Sequence, residues 1–273
     1  MRIINLLPIN HPELINQQNK VGQTALYLAV EFAPNLIEPL LKAGANPNLI
    51  NKFRNTPLVN AVRFNNFEAI QPLLVGGADP NLITITGKTA LMYAAQFNPK
   101  AIKQLIDAGA NVNSITQNGK TALMYAAEYN PKAVVILINA GAKLNSEDNF
   151  GFTALMLAAE LNPKSLKLLI DAGADLNTVD GQGNNALHIA TQKNPESLKL
   201  LIDVKANLEI VDGEGDTALL IAVKYTPQLK SLKLLIDAKA NVNALDANGN
   251  TALTFAKKYN PEAVQLLLDA DAL

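Results

Sequence analysis

The sequence of 273 residues contains no cysteine and no tryptophan, and aromatic residues make up only 5% of it. The absence of cysteine excludes disulfides, thiolate metal ligands and a cysteine nucleophile. Hydrophobic residues nevertheless make up 49% of the chain. The core is therefore expected to consist of Ala, Leu, Ile and Val, whose small and medium side chains allow helices to pack closely.

A charge excess of one sign and long hydrophobic runs are also missing. The net charge is −1, which lacks the electrostatic footprint of a nucleic-acid-binding protein. No apolar stretch approaches the roughly 18 residues of a membrane-spanning helix, and the N-terminus lacks the apolar core of a signal peptide. We therefore expect no nucleic-acid partner, no membrane partner, and a monomeric cytoplasmic protein.

The most prominent pattern is the tripeptide Thr-Ala-Leu, which returns eight times in exact or variant form. Successive copies lie 32 to 34 residues apart. A constant period of this length predicts a stack of repeated structural units. Such a stack offers an extended binding surface and usually no catalytic pocket. The copies begin at Thr24, Thr56, Thr89, Thr121, Thr153, Asn185, Thr217 and Thr251.

The fourth copy shows the unit most clearly. Thr121 is a favourable N-cap for a first helix rich in Ala and Leu. Asn130-Pro131 ends that helix and starts a second one, because proline is well tolerated at the first helical position. Gly141 ends the second helix in a left-handed conformation. Residues 144–151 are rich in turn formers and predict a hairpin-like finger.

This pattern resembles the ankyrin repeat. The opening matches at Thr56-Pro57-Leu58 and Gly151-x-Thr153-Ala154-Leu155, and residues 40–48 match the closing Leu-Leu-x-x-Gly-Ala-x-x-Asn. The resemblance covers residues 15 to 270. It implies an all-α solenoid of eight stacked helix pairs, with residues 1–14 as an N-terminal cap and residues 15–273 as one domain. It further implies that the fingers and first helices line a concave face that binds macromolecules, usually proteins.

Two second helices depart from the repeat at their ends. Lys205 and Lys239 stand where the other repeats have glycine. The left-handed conformation expected there costs a non-glycine residue about 1 kcal/mol. We therefore predict strain at both lysines.

Three candidate chemical sites have simpler structural interpretations. The acidic column of Asp148, Asp180, Asp212 and Asp246 is better suited to accepting turn N–H groups than to binding cations, because neighbouring repeats lie about 8–10 Å apart. The nearby Gly-x-Gly pairs complete no phosphate-binding signature. His188 stands at the histidine of the family's motif, and the resemblance implies a hydrogen-bonding role in the turn. We expect no catalytic residue, no metal and no cofactor.

A bulky residue eight positions after most of the Thr copies allows two interpretations. It could form an aromatic ladder for stacking ligands. Alternatively, Phe97 with Ile102 and Tyr129 with Val134 form hydrophobic staples that fix the entry of the second helix. We prefer the staple. The column consists of Phe32, Phe64, Phe97, Tyr129, Leu161, Lys193, Tyr225 and Tyr259.

The variable residues of the fingers and first-helix ends are the candidate partner-binding site. Apolar finger residues indicate a protein contact site, or else they pack finger against finger. Our function prediction is a non-enzymatic protein–protein interaction module. The alternatives are a scaffold or engineered repeat protein without a natural partner, and the targeting part of a bacterial effector delivered into a host cell. The predicted contact residues are Phe53, Arg63, Ile83, Ile85, Gln96, Glu128, Phe150, Phe152 and Glu160.

Overall fold

The computed structural model describes residues 14–226 and 229–273. Within these residues it has sixteen α-helices in eight pairs and no strand, only two isolated bridges. This confirms the all-α repeat fold. The predicted cap at residues 1–14 lies almost entirely outside the described residues.

The first helices are α1 (Ala25–Phe32), α3 (Pro57–Arg63), α5 (Ala90–Phe97), α7 (Ala122–Tyr129), α9 (Ala154–Leu161), α11 (Ala186–Lys193), α13 (Ala218–Tyr225) and α15 (Ala252–Tyr259). The second helices are α2 (Ile37–Lys42), α4 (Phe67–Val75), α6 (Pro99–Asp107), α8 (Pro131–Asn139), α10 (Pro163–Asp171), α12 (Pro195–Asp203), α14 (Lys230–Asp237) and α16 (Pro261–Leu268).

The chain divides into two compact units. The first unit comprises residues 1–126 and 132–143, and the second comprises residues 127–131 and 144–273. In the first unit, α1, α3 and α5 pack in one row and α2, α4 and α6 in another. In the second unit, α9, α11, α13 and α15 form the row of first helices. Small side chains permit this close packing, since α5 buries Ala90, Ala94 and Ala95 almost completely.

The first helices begin where the sequence predicts. The hydroxyl of Thr24 accepts the backbone N–H of Tyr27, and that of Thr121 accepts the N–H of Met124. Both bonds satisfy donors that the first helical turn leaves unpaired. The same capping bond is made by Thr56, Thr89, Thr153, Asn185, Thr217 and Thr251.

The asparagine of the Asn-Pro connection has a second role that the sequence did not reveal. In the second unit, Asn194 donates its side-chain amide to the carbonyl of Glu160 in the preceding repeat. In the first unit, Asn98 donates likewise to Val62 over 3.4 Å, although its side chain makes no capping bond. Because the carbonyls at a helix end lack helical partners, this asparagine links neighbouring repeats as well as ending a helix.

The second helices end as predicted, with a residue in the left-handed region. At the end of α6, Gly109 donates to Ile106 and Ala110 donates to Leu105, which is the Schellman pattern. Lys205 and Lys239 adopt the same conformation with φ of 59° and 66°. This confirms the left-handed conformation expected for both lysines.

We expect Lys205→Gly and Lys239→Gly each to raise the free energy of unfolding by about 1 kcal/mol, because glycine adopts this conformation without a Cβ penalty. No packing is lost, since a Cβ built on the equivalent Gly109, Gly141 or Gly173 meets no atom within 4 Å. Urea denaturation measures the effect. Lys199→Gly inside α12 is the control and should lower stability by a similar amount. The interpretation would be contradicted if Lys199→Gly changed the free energy of unfolding in the same direction as Lys205→Gly and Lys239→Gly.

Candidate functional site

The fingers comprise residues 18–24, 50–56, 83–89 and 115–121 in the first unit. In the second unit they comprise residues 147–153, 179–185, 211–217 and 245–251. Backbone hydrogen bonds join adjacent fingers at their tips. Ile85 donates to the carbonyl of Phe53 in the first unit, and Gly213 donates to Gln182 in the second. Successive fingers therefore form a linked edge in each unit.

The acidic finger column makes turns, as predicted. One carboxylate oxygen of Asp148 accepts the backbone N–H groups of Phe150 and Phe152 at 2.9 and 3.0 Å. Asp180, Asp212 and Asp246 each accept the same two N–H groups of their own fingers. Among the described residues, no group of His, Cys, Asp and Glu side chains has the arrangement of a metal site.

The first unit contains five of the nine predicted contact residues. Phe53 and Ile85 are 62% and 59% exposed, and Ile83 is also exposed. Arg63 is exposed at the end of α3, whereas Gln96 is half-buried and accepts a hydrogen bond from the Lys88 ammonium at 3.0 Å. Exposed apolar side chains at successive finger positions define what we call the apolar finger edge. Its members are Val21, Ile50, Phe53, Ile83, Ile85 and Ile115.

The second unit contains the other four predicted residues, and they differ in accessibility. Phe150 is exposed, while Phe152 and Glu160 are half-buried. Glu128 is only 8% exposed, so its side chain offers a partner little accessible surface. Its role in partner binding stays a prediction.

Sequence reasoning missed a stack of cations and aromatic rings in the first unit. Arg63 lies 5.4 Å from the centre of the Tyr93 ring, and Lys88 lies 5.3 Å from it. Lys88 also lies 3.9 Å from the ring centre of Tyr125, and Lys120 lies 5.8 Å from that ring. We call these five residues the cation–aromatic stack. Its signal was the sequence Gly-Lys-Thr-Ala-Leu-Met-Tyr, which occurs in both repeats.

The stack affects the ionisation of Tyr93. Burial raises the pKa of its phenol, but hydrogen bonds with Thr86 and Thr84 and the charges of Arg63 and Lys88 lower the pKa overall. The phenol is linked to its own finger through Thr86, 3.4 Å away. Tyr93 therefore links its own finger to the cations Arg63 and Lys88.

The second unit contains a buried ion cluster instead. The ammonium of Lys224 lies 2.6 Å from an Asp216 carboxylate oxygen and 3.4 Å from an Asp246 oxygen. It also lies 4.1 Å from the ring centre of Phe255. Burial lowers the pKa of Lys224, but its bonds to Asp216 and Asp246 raise the pKa overall. Lys224 thus stays protonated inside the repeat stack.

His188 is buried and serves the fingers, as its motif implied. Its Nδ1 accepts the backbone N–H of Asn185 at 3.2 Å. Nε2 therefore carries the proton and donates to the carbonyl of Ile210 in the next finger at 2.9 Å. Burial lowers the pKa of His188, even though the bond to Ile210 opposes that shift. Both ring nitrogens are used structurally, which leaves neither for catalysis.

The bulky column at the ends of the first helices is accessible. Phe64, Phe97 and Tyr129 are each more than half exposed, whereas Ile102 and Val134 are fully buried. The hydrophobic staple stays a prediction, because exposure alone does not establish the contact. The same exposure makes these rings available to a partner.

Stacked helix pairs joined by linked fingers define a repeat solenoid, the class of protein to which this chain belongs. Within that class, the family model of ankyrin repeats matches residues 2–84, 58–148, 129–212 and 187–272. The chain therefore belongs to the ankyrin repeat family. No curated protein showed significant similarity to it. None of the described helices is both long and apolar enough to cross a bilayer.

Proposed function

We propose that the chain is a non-enzymatic module that binds a partner protein through its fingers and the ends of its first helices. Ankyrin repeats are generally protein-interaction modules, and this family membership supports the coarse assignment. The apolar finger edge is the observation that supports placing the binding surface on the fingers. Phe53 and Ile85 expose apolar surface on adjacent fingers, and Lys52 and Arg54 flank Phe53 along the chain. Exposed apolar clusters with a polar rim are typical of protein contact sites.

The finger backbone supports the proposal as well. Fingers linked through Phe53 and Ile85 hold exposed side chains on a defined frame. A surface held in place before binding loses less conformational entropy when a partner arrives. In the second unit, the bond from Gly181 to Phe150 gives Phe150 the same support.

We expect Ile85→Asp together with Phe152→Asp to abolish partner capture, because charges placed on apolar contact sites must be desolvated on binding. The measurement is affinity capture from cell lysates with quantitative mass spectrometry. The matched control is Val75→Asp with Val204→Asp, which places the same charges on exposed apolar residues at the ends of second helices. Circular dichroism checks that both variants fold. A folded finger variant that retains the partners of the parent chain would overturn the proposal.

A further inference from the structure

Charge is distributed unevenly between the fingers of the two units, although the chain has a net charge of −1. The fingers of the first unit carry no carboxylate and five cations: Lys20, Lys52, Arg54, Lys88 and Lys120. The fingers of the second unit carry no cation and seven carboxylates: Glu147, Asp148, Asp180, Asp212, Glu214, Asp216 and Asp246.

The residue that makes each turn contributes to this difference. Asp148 and Asp180 use a carboxylate to accept turn N–H groups. In the first unit, the amide oxygens of Asn19 and Asn51 accept the equivalent groups. Because both chemistries form the turn, folding does not explain why one unit uses neutral residues. The choice leaves the first-unit fingers basic.

Arg54 maintains this charge at a cost in stability. It has φ of 57° at a finger position where the other seven fingers have glycine. A side chain in the left-handed region is strained, and such strain often marks a functional position. Arg54 is also exposed, so its side chain is available to a ligand.

The cations lie beside the apolar finger edge. Lys52 and Arg54 flank Phe53 along the chain. Lys88 hydrogen-bonds Gln96 and lies against Tyr93 and Tyr125, which fixes its position at the finger base. The surface therefore combines apolar contacts with positioned positive charge.

The carboxylates of the first unit lie mostly elsewhere. On the second helices, Glu38 pairs with Lys42 and Asp107 with Lys103. Among the first helices that begin in the first unit, α1 carries Glu31 and α7 carries Glu128, which is buried. No ion pair among the described residues involves Lys20, Lys52 or Arg54.

From this juxtaposition we propose that the first-unit fingers bind an acidic protein segment that also carries apolar side chains. The apolar side chains pack on Phe53, Ile83 and Ile85, and the carboxylates lie near Lys52 and Arg54. Complementary charge accelerates association and selects the partner. This inference rests on the proposed function, because it specifies the chemistry of the partner for the same fingers.

Two other occupants fit the surface less well. A second copy of the chain could offer its acidic fingers, but of their seven carboxylates only Glu147 and Glu214 are exposed, and four are buried. A nucleic acid needs stacking surfaces for its bases, whereas the edge is largely aliphatic, with Phe53 its one aromatic member. An acidic peptide uses both the charge and the aliphatic side chains.

The test is selection of a random peptide library, displayed on phage, against the whole chain. We expect enriched peptides to combine Asp and Glu with apolar residues. One enriched peptide, labelled with a fluorophore, is then titrated against variants. Lys52→Glu with Arg54→Glu should weaken its binding at least about tenfold, because attraction becomes repulsion. Lys100→Glu with Lys132→Glu makes the same change in net charge on second helices and should alter binding less than about twofold.

The outcomes separate this inference from the proposed function. If the enriched peptides are neutral or basic and the Ile85→Asp variant no longer binds them, the inference of an acidic partner is overturned. The proposed function would then still stand. If no enriched peptide loses binding in the Ile85→Asp variant, the result counts against both this inference and the proposed function. Analytical ultracentrifugation tests whether the parent chain dimerises. If it does, and if Lys52→Glu with Arg54→Glu abolishes the dimer, the surface belongs to a second copy of the chain. Displacement of the bound peptide by a mixed-sequence RNA, but not by polyglutamate, would assign it to nucleic acid.

Arg54→Gly provides a second test, because it should raise stability and weaken peptide binding at the same time. Glycine relieves the left-handed strain, so the melting temperature should rise. Loss of the charge should weaken binding of the enriched peptide about threefold. A stabilised variant that binds the peptide as well as the parent chain does would remove Arg54 from the proposed site.

Discussion

Lys224→Met should lower the free energy of unfolding by about 3–5 kcal/mol, the usual cost of removing one partner from a buried ion pair. Asp216 is fully buried, and its carboxylate lies within 2.7 Å of the Lys224 ammonium at both oxygens. Burial already raises the pKa of Asp216, against the effect of its bonds to Lys224. Without the lysine, this carboxylate is buried without its counter-charge. Urea denaturation followed by circular dichroism measures the loss.

Two further variants make the Lys224 result interpretable. Lys224→Met with Asp216→Leu removes both charges, and we expect it to recover a large part of the lost stability. Lys258→Met alters the lysine at the same position of the next repeat, which is exposed, and should change stability by less than about 0.5 kcal/mol. A double variant no more stable than Lys224→Met would show that the stem of the lysine, rather than its charge, stabilises the repeat.

Local chemistry explains why much of the fold could be predicted from the sequence. The capping bond of Thr121 and the left-handed ends at Lys205 and Lys239 depend on residues only a few positions apart. Because the sequence is periodic, an interpretation that is correct for one repeat applies to all eight. The turn role of Asp148 followed for the same reason, since its partners lie two and four residues ahead.

Contacts between repeats were much less predictable. Glu128 and Glu160 occupy the same column, yet only Glu128 is buried. Lys88 lies against Tyr125, which belongs to the next repeat, and Asn98 donates to Val62 of the preceding one. Long side chains can reach several neighbours, and position within a repeat does not determine which one they contact. The candidate site depends on such contacts, so only its exposed apolar members were evident from the sequence.

Gly183→Ala should destabilise the second unit by about 2–5 kcal/mol, which combines a left-handed backbone with overpacking. Gly183 has φ of 83°, and a Cβ there would lie 2.5 Å from the backbone nitrogen of Gly213. That nitrogen donates the bond that joins two fingers, to Gln182 at 2.8 Å. The added methyl group therefore forces apart two neighbouring fingers of the linked edge of this unit, residues 179–185 and 211–217. Gly249→Ala is the matched control, because φ is 78° and nothing lies within 4 Å of its Cβ. It should cost only the backbone strain, about 1–2 kcal/mol. Equal losses for the two variants in urea denaturation would show that fingers separate freely, and would remove the argument that a linked edge holds the binding residues in place.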